Sequence, residues 1–358
     1  MAFLRNAWYM AGWADDLKPG ELLARTICND PIVLFRDAEG HLAALEDRCC
    51  HRHYPLSATG GMVVGSNIQC GYHGLQYDAS GKCVKMPSQT HIPESARVGA
   101  YAVVERNHCL WVWLGEAAQA DKSKIPDLAF LDDPAWGWKG TLFPVKGNYR
   151  FIIENLLDLT HLTFVHTTTI GNYALIDQAD MKTVRGEQDV QVNRWMINTD
   201  PPPTYAKAAV FPGKVDRWQL IHYLKPSIVY LWTGAAPHGM NARDKIAGHG
   251  APEGSKLGGI GLVNLNLITP ETEKSTHYFW AQGQDKKPQD RAMTDMVFGQ
   301  IEMAFKQDWA LFEQQQIRTE QRPDAPRINM SGDAGGVHAM QILDKAIEAE
   351  QTGLRVAA

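Results

Sequence analysis

Residues 48–74 read RCCHRHYPLSATGGMVVGSNIQCGYHG, and within them Cys49-Cys50-His51 is followed, after 18 intervening residues, by Cys70-Gly71-Tyr72-His73. Each short loop offers one thiolate and one imidazole. Structural zinc sites of the Cys2His2 kind usually set Cys beside Cys and His beside His, so the mixed grouping points to another metal chemistry. Around the loops the chain reads as short strands joined by turns. PIVLFRDAEGHLAALED (31–47) is strand, turn, strand, and LQYDASGKCVKM (75–86) and AYAVVERNHCLWVWLG (100–115) repeat the pattern. A small all-β domain is expected over the first third of the chain.

At 358 residues, with 44% hydrophobic and 21% charged residues, the chain has the make-up of an ordinary globular protein with room for two domains. The six cysteines, Cys28, Cys49, Cys50, Cys70, Cys83 and Cys109, all precede residue 110, and the rest of the chain has none. A disulfide framework would not be confined in this way, so the clustering favours metal binding. A net charge of -5 offers no footprint for nucleic acid or an anionic membrane. No run approaches the roughly 20 apolar residues of a membrane span, and Arg5 interrupts any leader-like apolar stretch. A cytoplasmic location is expected. There is no G-x-G-x-x-G loop after a strand and no Walker A loop, so nicotinamide chemistry would have to come from another protein.

The polar stretch GEAAQADKSKIPD (115–127) suggests a boundary, placed at 118/119. Beyond it, RWQLIHYL (217–224) and IVYLWTG (228–234) read as longer strands, and 297–318 and 338–351 carry helical spacing. This is α+β grammar without βαβ alternation: an antiparallel sheet flanked by helices. The Gly-rich segment 236–256 is expected to be an aperiodic loop, in the manner of a lid.

The grouping C-x-H with C-x2-H is that of a Rieske [2Fe-2S] centre, in which two Cys hold one iron and two His the other. Cys49, His51, Cys70 and His73 are the expected ligands. Cys50 with His53 makes a competing C-x2-H; Cys49 and His51 are preferred because they give the C-x-H loop followed directly by Arg52. Gly71 and Gly74 would let backbone approach the sulfurs. Arg48, Arg52, Lys82 and Lys85 flank the loops and suit either a docking face for an acidic electron donor or ordinary solvated charge.

A second constellation lies in the Cys-free part. In FIIENLLDLTHLTFVH (151–166), Asn155, Asp158 and His161 fall at i, i+3 and i+6, one face of a helix. His166 is five residues beyond His161, about 500° of helical turn, so the helix must end between them for the imidazoles to converge. The run Thr167-Thr168-Thr169 favours an end there. On the 297–318 helix, Asp308 interrupts the apolar stripe of Ile301, Ala304, Phe305 and Phe312. A buried lone carboxylate is costly unless compensated. A 2-His-1-carboxylate iron site compensates it, with Glu313 the competing carboxylate. His222, His277 and His338 are expected to be packing or surface residues, and His238 and His249 to be solvated.

Together the motifs resemble the oxygenase component of the Rieske non-haem iron aromatic-ring oxygenases. C-x-H-R and C-G-Y-H-G match the cluster loops, and N-x2-D-x2-H-x4-H from Asn155 to His166 matches the iron motif. The similarity extends over RNAWYMAGW, LITPETEKSTHYFWA, QDWALFEQQQ and DAGGVHAMQILDKAIEAE, and is nearest to the vanillate O-demethylase branch, which includes dicamba monooxygenase. The resemblance implies a Rieske domain over 1–118 and a catalytic domain over 119–358, with mononuclear Fe(II) held by His161, His166 and Asp308. It further implies that Asp158 links His161 to His73 of a neighbouring subunit in a head-to-tail trimer, and that Asn155 lies near the iron. Electrons from NAD(P)H would arrive through a separate flavin or iron-sulfur reductase, with or without a ferredoxin, and O2 would be used on a small aromatic substrate. O-demethylation of a methoxylated aromatic acid is the first expectation; ring hydroxylation or dihydroxylation is the second, and electron transfer without oxygen chemistry a distant third. Leu231, Asn266 and Gly299 are the expected pocket residues. Cys50 stands where the family commonly has Pro, and the gap between the loops is slightly long.

Overall fold

Alternating apolar residues and tight polar turns fold the first third of the chain into two sheets. In the computed structural model, which describes residues 3–167, 170–171, 179–246 and 253–353, ten strands precede residue 114: β1 (Trp8–Trp13), β2 (Leu22–Ile27), β3 (Asp30–Arg36), β4 (Leu42–Glu46), β5 (Met62–Val64), β6 (Asn67–Gln69), β7 (Gln76–Tyr77), β8 (Cys83–Lys85), β9 (Ala100–Arg106) and β10 (Cys109–Trp113). Six form one sheet in the order β1-β10-β9-β4-β3-β2, and β5-β6-β7-β8 form a small second sheet. Val33, Phe35, Leu45, Leu56, Ile68 and Tyr77 are buried in one cluster that includes Cys49 and Cys70, so the roots of both cluster loops are set in a hydrophobic core. The compact unit extends to Leu128 and takes in Thr269–Glu273. The polar stretch 115–127 carries two short 3-10 turns, Ala117–Gln119 and Lys122–Lys124, and its Asp121 carbonyl accepts a hydrogen bond from the Trp8 indole.

The second unit is built on a seven-stranded antiparallel sheet of β11 (Gly137–Val145), β12 (Ala179–Arg185), β13 (Asp189–Thr199), β14 (Val215–Leu224), β15 (Ile228–Pro237), β16 (Ile260–Thr272) and β17 (Ser275–Gln284), in the order β11-β17-β16-β15-β14-β13-β12. Among the described residues its helices are α1 (Tyr149–Leu157), α2 (Leu162–Val165), α3 (Pro203–Ala208), α4 (Ala242–Lys245), α5 (Arg291–Gln321) and α6 (Ala334–Gln351). No described helix is long and apolar enough to cross a membrane.

The longest helix, α5, contains no Pro and a single Gly, starts where the Asp290 carboxylate caps the Met293 N–H at 3.1 Å, and stops just before Pro323. Its buried stripe runs through Val297, Phe298, Ile301, Ala304, Phe305, Asp308 and Phe312. Phe298 stacks on Trp280 of β17 at 4.7 Å between ring centroids, and Phe305 approaches the same indole at 4.8 Å. Burial of each of these side chains is worth about 1.5–3 kcal/mol, which anchors the helix in the register that brings Asp308 to the site.

Register supplies the opposing surface. Gln219 lies opposite Thr233, Thr233 opposite Leu262, and Leu231 opposite Asn264, so these residues share one face of β14, β15 and β16.

Two local expectations are corrected. Asn155, Asp158 and His161 do not share one helix: α1 ends at Leu157, Asp158 adopts extended backbone as its C-cap, and its carboxylate accepts from Thr160 N and Oγ1, both at 2.9 Å, opening a separate 3-10 turn, Leu159–His161. A short polar side chain that bonds its own downstream backbone competes with helix continuation. The segment 236–256 is not structureless throughout, since α4 and a 3-10 turn, Gly254–Leu257, occupy part of it; residues 247–252, with His249, lie outside the described residues.

Candidate metal centres and active site

The two cluster loops share one backbone design. In the first, Cys49 N donates to Tyr54 O (2.9 Å) and His53 N to Cys49 O (2.9 Å); in the second, Cys70 N donates to Leu75 O (2.8 Å) and Gly74 N to Cys70 O (3.1 Å). The fourth residue after each Cys, His53 and Gly74, has positive φ and closes the turn. Gly71 admits no side chain: a Cβ there would lie 2.4 Å from Thr59 O, because residues 59–60 cross directly over the loop.

The design buries Cys49 and Cys70 to 1% exposure and leaves His51 and His73 exposed at the loop tips, with ring centroids 4.5 Å apart. All six cysteines are free thiols. Burial raises the Cys70 thiol pKa and the facing Cys49 adds to this, while the N–H groups of Tyr72 and His73 donate toward the Cys70 sulfur and oppose it. Two facing sulfurs with amide donors aimed at one of them, and two imidazoles above, suit a cluster held on one side by thiolate and on the other by histidine. Tyr77, fully buried, places its hydroxyl 3.0 Å from Cys49 Sγ and 3.3 Å from Cys50 Sγ. Burial and the neighbouring sulfurs push its pKa upward, keeping the phenol protonated as a donor to sulfur. Of the flanking cations, Arg48 is paired with Glu46, while Arg52, Lys82 and Lys85 are exposed.

In the second unit His161, His166 and Asp308 bring their ligand atoms within 4.8 Å of one another. His166 Nε2 is 3.1 Å from Asp308 Oδ2, and His161 Nε2 is 3.6 Å from Asp308 Oδ1. Each imidazole is oriented from behind: His161 Nδ1 donates to the Asp158 carbonyl at 2.7 Å, and His166 Nδ1 donates to Gln307 Oε1 at 2.8 Å. Both Nε2 atoms are therefore left to the shared centre, the arrangement that metal-bound histidines adopt. Asp308 Oδ1 is buried without a hydrogen-bond partner, and a carboxylate oxygen so placed calls for a cation. Burial lowers the His161 pKa against the pull of Asp308; for His166 burial also lowers it, but the Asp308 contact prevails and the net shift is upward. The donor set fits a non-haem iron with open positions. Asn155 Nδ2 sits 3.5 Å from His161 Nε2. The competing carboxylate, Glu313, accepts from the Trp309 indole at 2.7 Å and is not part of the cluster.

These three residues line a largely apolar pocket that is partly open to solvent. Leu156, Leu159, Leu162, Ile301 and Phe305 supply its apolar wall, and Arg217, Gln219, Asn264 and Gln282 its polar floor. Of the expected pocket residues, Leu231 lines it. Asn266 does not: it is fully buried behind the floor, donating to Asn264 Oδ1 at 2.8 Å and accepting from Tyr278 at 2.6 Å. Gly299 does not either, since it lies two residues from Ile301 on another face of α5, where a Cβ would meet nothing within 4 Å. Asp158 reaches His161 through its main-chain carbonyl, its carboxylate being engaged by Thr160. His222 Nε2 and His238 Nδ1 are hydrogen-bonded to the carboxylates of Asp189 (2.8 Å) and Asp216 (2.7 Å). Sequence reasoning missed Gln307, Tyr77 and the polar floor. Gln307 had one signal, its place directly before Asp308.

Comparison with known proteins gives two family matches, the Rieske [2Fe-2S] domain over residues 7–96 and the vanillate O-demethylase oxygenase C-terminal domain over 145–349. The chain is 35% identical over 354 residues to the toluene-4-sulfonate monooxygenase system iron-sulfur subunit of Comamonas testosteroni, covering 98% of this chain and 99% of that one. It is 36% identical over 356 residues to a vanillate O-demethylase oxygenase subunit of a Pseudomonas species, covering 98% and 96%. Among solved structures, dicamba monooxygenase bound to dicamba superimposes with a TM-score of 0.87 at 31% identity, covering 98% of this chain and all of that one.

Proposed function

The chain belongs to the Rieske non-haem iron oxygenases, in the branch of the vanillate O-demethylase oxygenase subunits, and on that premise we propose that it O-demethylates a methoxylated aromatic acid. One methyl carbon leaves as formaldehyde and the phenol remains, with O2, two electrons and two protons consumed and one water formed. The observation that carries the reading is the apolar pocket into which two oriented imidazoles and a carboxylate with an unpartnered oxygen present their ligand atoms.

In this reading Cys49, His51, Cys70 and His73 hold the [2Fe-2S] cluster, in a division of labour between residues 1–118 and 119–358, and His161, His166 and Asp308 hold Fe(II). The cluster supplies electrons one at a time and the iron the activation of O2. The chain's other residues orient and exclude. The Asp158 carbonyl and Gln307 fix the imidazole tautomers, Leu159, Leu162 and Phe305 keep water from the reacting carbon, and the amides of the floor accept or donate to the ring substituents. Exposed His51 and His73 form the outlet of the first unit, and Asp158, joined to His161 by one hydrogen bond, is the inlet of the second in a head-to-tail homotrimer. Named relatives are components of multicomponent systems, and the electron donor is a cytoplasmic reductase, with or without a ferredoxin.

The relatives that act on vanillate and dicamba support O-demethylation; the two toluene-4-sulfonate relatives favour, as a second reading, oxidation of an aromatic sulfonate. The iron-replete protein with a compatible reductase and NADH is to be screened against methoxybenzoates, unsubstituted benzoates and aryl sulfonates. Formaldehyde in step with substrate loss is expected from a methoxybenzoate. NADH and O2 consumption with an oxygenated ring or side chain and no formaldehyde would overturn demethylation and transfer the assignment to hydroxylation.

A further inference from the structure

In β14, strand alternation turns Arg217 and Gln219 to the same face as Thr233 and Asn264, the floor of the pocket. Arg217 is 1% exposed. Its Nη2 donates to the Ile170 carbonyl at 3.1 Å and its guanidinium lies 5.2 Å from the centroid of the Tyr205 ring, while Nε and Nη1 have no hydrogen-bond partner. No described carboxylate forms an ion pair with it, and the only acid among the described lining residues, Asp308, belongs to the metal triad. Arg194, on the neighbouring strand, is a second buried guanidinium close to Arg217, and the acid that faces it is Asp158.

A buried guanidinium with unmet donors is costly to keep. One carbonyl and the ring and hydroxyl of Tyr205 offset only part of that cost, since Nε and Nη1 remain unmet. The divalent ion at the triad carries more charge than Asp308 neutralises, so a loaded pocket is short of negative charge at both ends. The missing partner is an anion with acceptor oxygens able to reach Arg217 while the rest of the molecule fills the apolar wall.

We infer that Arg217 is the anion-recognition residue of this pocket, pairing with the carboxylate or sulfonate of a monoanionic aromatic substrate. This rests on reading the pocket as the substrate chamber, and it deepens that reading by naming the residue that selects for charge. Gln219 and Asn264, on the same face, complete the polar floor around the acid group. The far end of the ring, carrying the group to be oxidised, then points away from β14 toward α5 and the triad. A charge-assisted contact of this kind discriminates an anion from its neutral isostere by about 10- to 100-fold.

The test is equilibrium binding to the iron-replete protein, without reductase, of two matched pairs: 4-methoxybenzoate against 4-methoxybenzamide, and toluene-4-sulfonate against toluene-4-sulfonamide. In the wild-type protein at least one anion is expected to bind 10- to 100-fold more tightly than its amide, and which one does separates the carboxylate from the sulfonate source. In Arg217→Gln that ratio falls to near one at unchanged iron content, and in Arg217→Lys it is partly retained. A wild-type ratio near one in both pairs, no saturable binding by either anion, or a ratio that survives Arg217→Gln would overturn the inference. Where the Gln variant does not fold, Arg217→Lys decides: a ratio below that of the wild type at unchanged iron content supports the role, and an unchanged ratio overturns it. Because binding is read without reductase and formaldehyde only in the separate substrate screen, an anion preference without formaldehyde production refutes demethylation alone, and formaldehyde production without an anion preference refutes the Arg217 role alone.

Discussion

In the cluster loops each Cys and its His stand two or three positions apart inside a single tight turn, whereas Asp308 meets His166 across 142 positions of chain. The first centre is local: the same pair of backbone hydrogen bonds closes both turns, so the ligand geometry is nearly determined by the turn itself. The second is tertiary. It exists only because α5 is locked by Phe298 and Phe305 against Trp280 and because Asp158 breaks the chain direction between α1 and the His161 turn. A local centre can be tuned by neighbours to its sulfurs with little effect on assembly. A tertiary one depends on the groups that aim each ligand.

That difference can be sharpened by mutating one supporting residue in each centre. Gln307 holds His166 from behind at 2.8 Å, and loss of such a support typically costs 10- to 100-fold in metal affinity. Gln307→Leu should therefore weaken Fe(II) binding at the triad by that factor, measured by competition with a chelator, while the visible spectrum of the cluster is unchanged. Unaltered affinity would show that packing alone orients His166. The smaller effect is expected at Tyr77. Its hydroxyl serves Cys49 Sγ at 3.0 Å, and removing one hydrogen bond of about 1 kcal/mol corresponds to roughly 40 mV for a one-electron couple. Tyr77→Phe should lower the cluster potential by about that much, read by redox titration, at full iron content. A shift of zero or upward would contradict the donor role.

The same contrast explains what could be read from the sequence. The candidate cluster ligands were legible because both loops carry their thiol and imidazole within a few residues, and the strands around them follow a period-two pattern broken by turn residues. The imidazole pair was legible from its spacing, and Asp308 from being the one acid in an apolar stripe. The single helix expected from Asn155 to His161 failed because periodicity does not register an Asp that bonds forward to Thr160 and caps a new turn. Arg217 read as one polar residue in a strand, since only the register of β14 against β15 shows that it faces the pocket. Asn266 shares the strand of Asn264, yet the Tyr278 hydroxyl and the neighbouring amide hold it behind the floor. Gly299 lies on the helix that carries Asp308, but turned away from the stripe.

The central claim is that one chain carries two iron centres that assemble independently, one by local turns and one by tertiary convergence. Iron and acid-labile sulfide per chain, measured in the wild-type protein and in Asp308→Ala, test it most directly. The expected result is roughly three iron and two sulfide per wild-type chain, falling to about two iron with two sulfide and an unchanged red-brown spectrum in the variant. Iron that stays near three in Asp308→Ala, or a cluster lost together with the third iron, would contradict it.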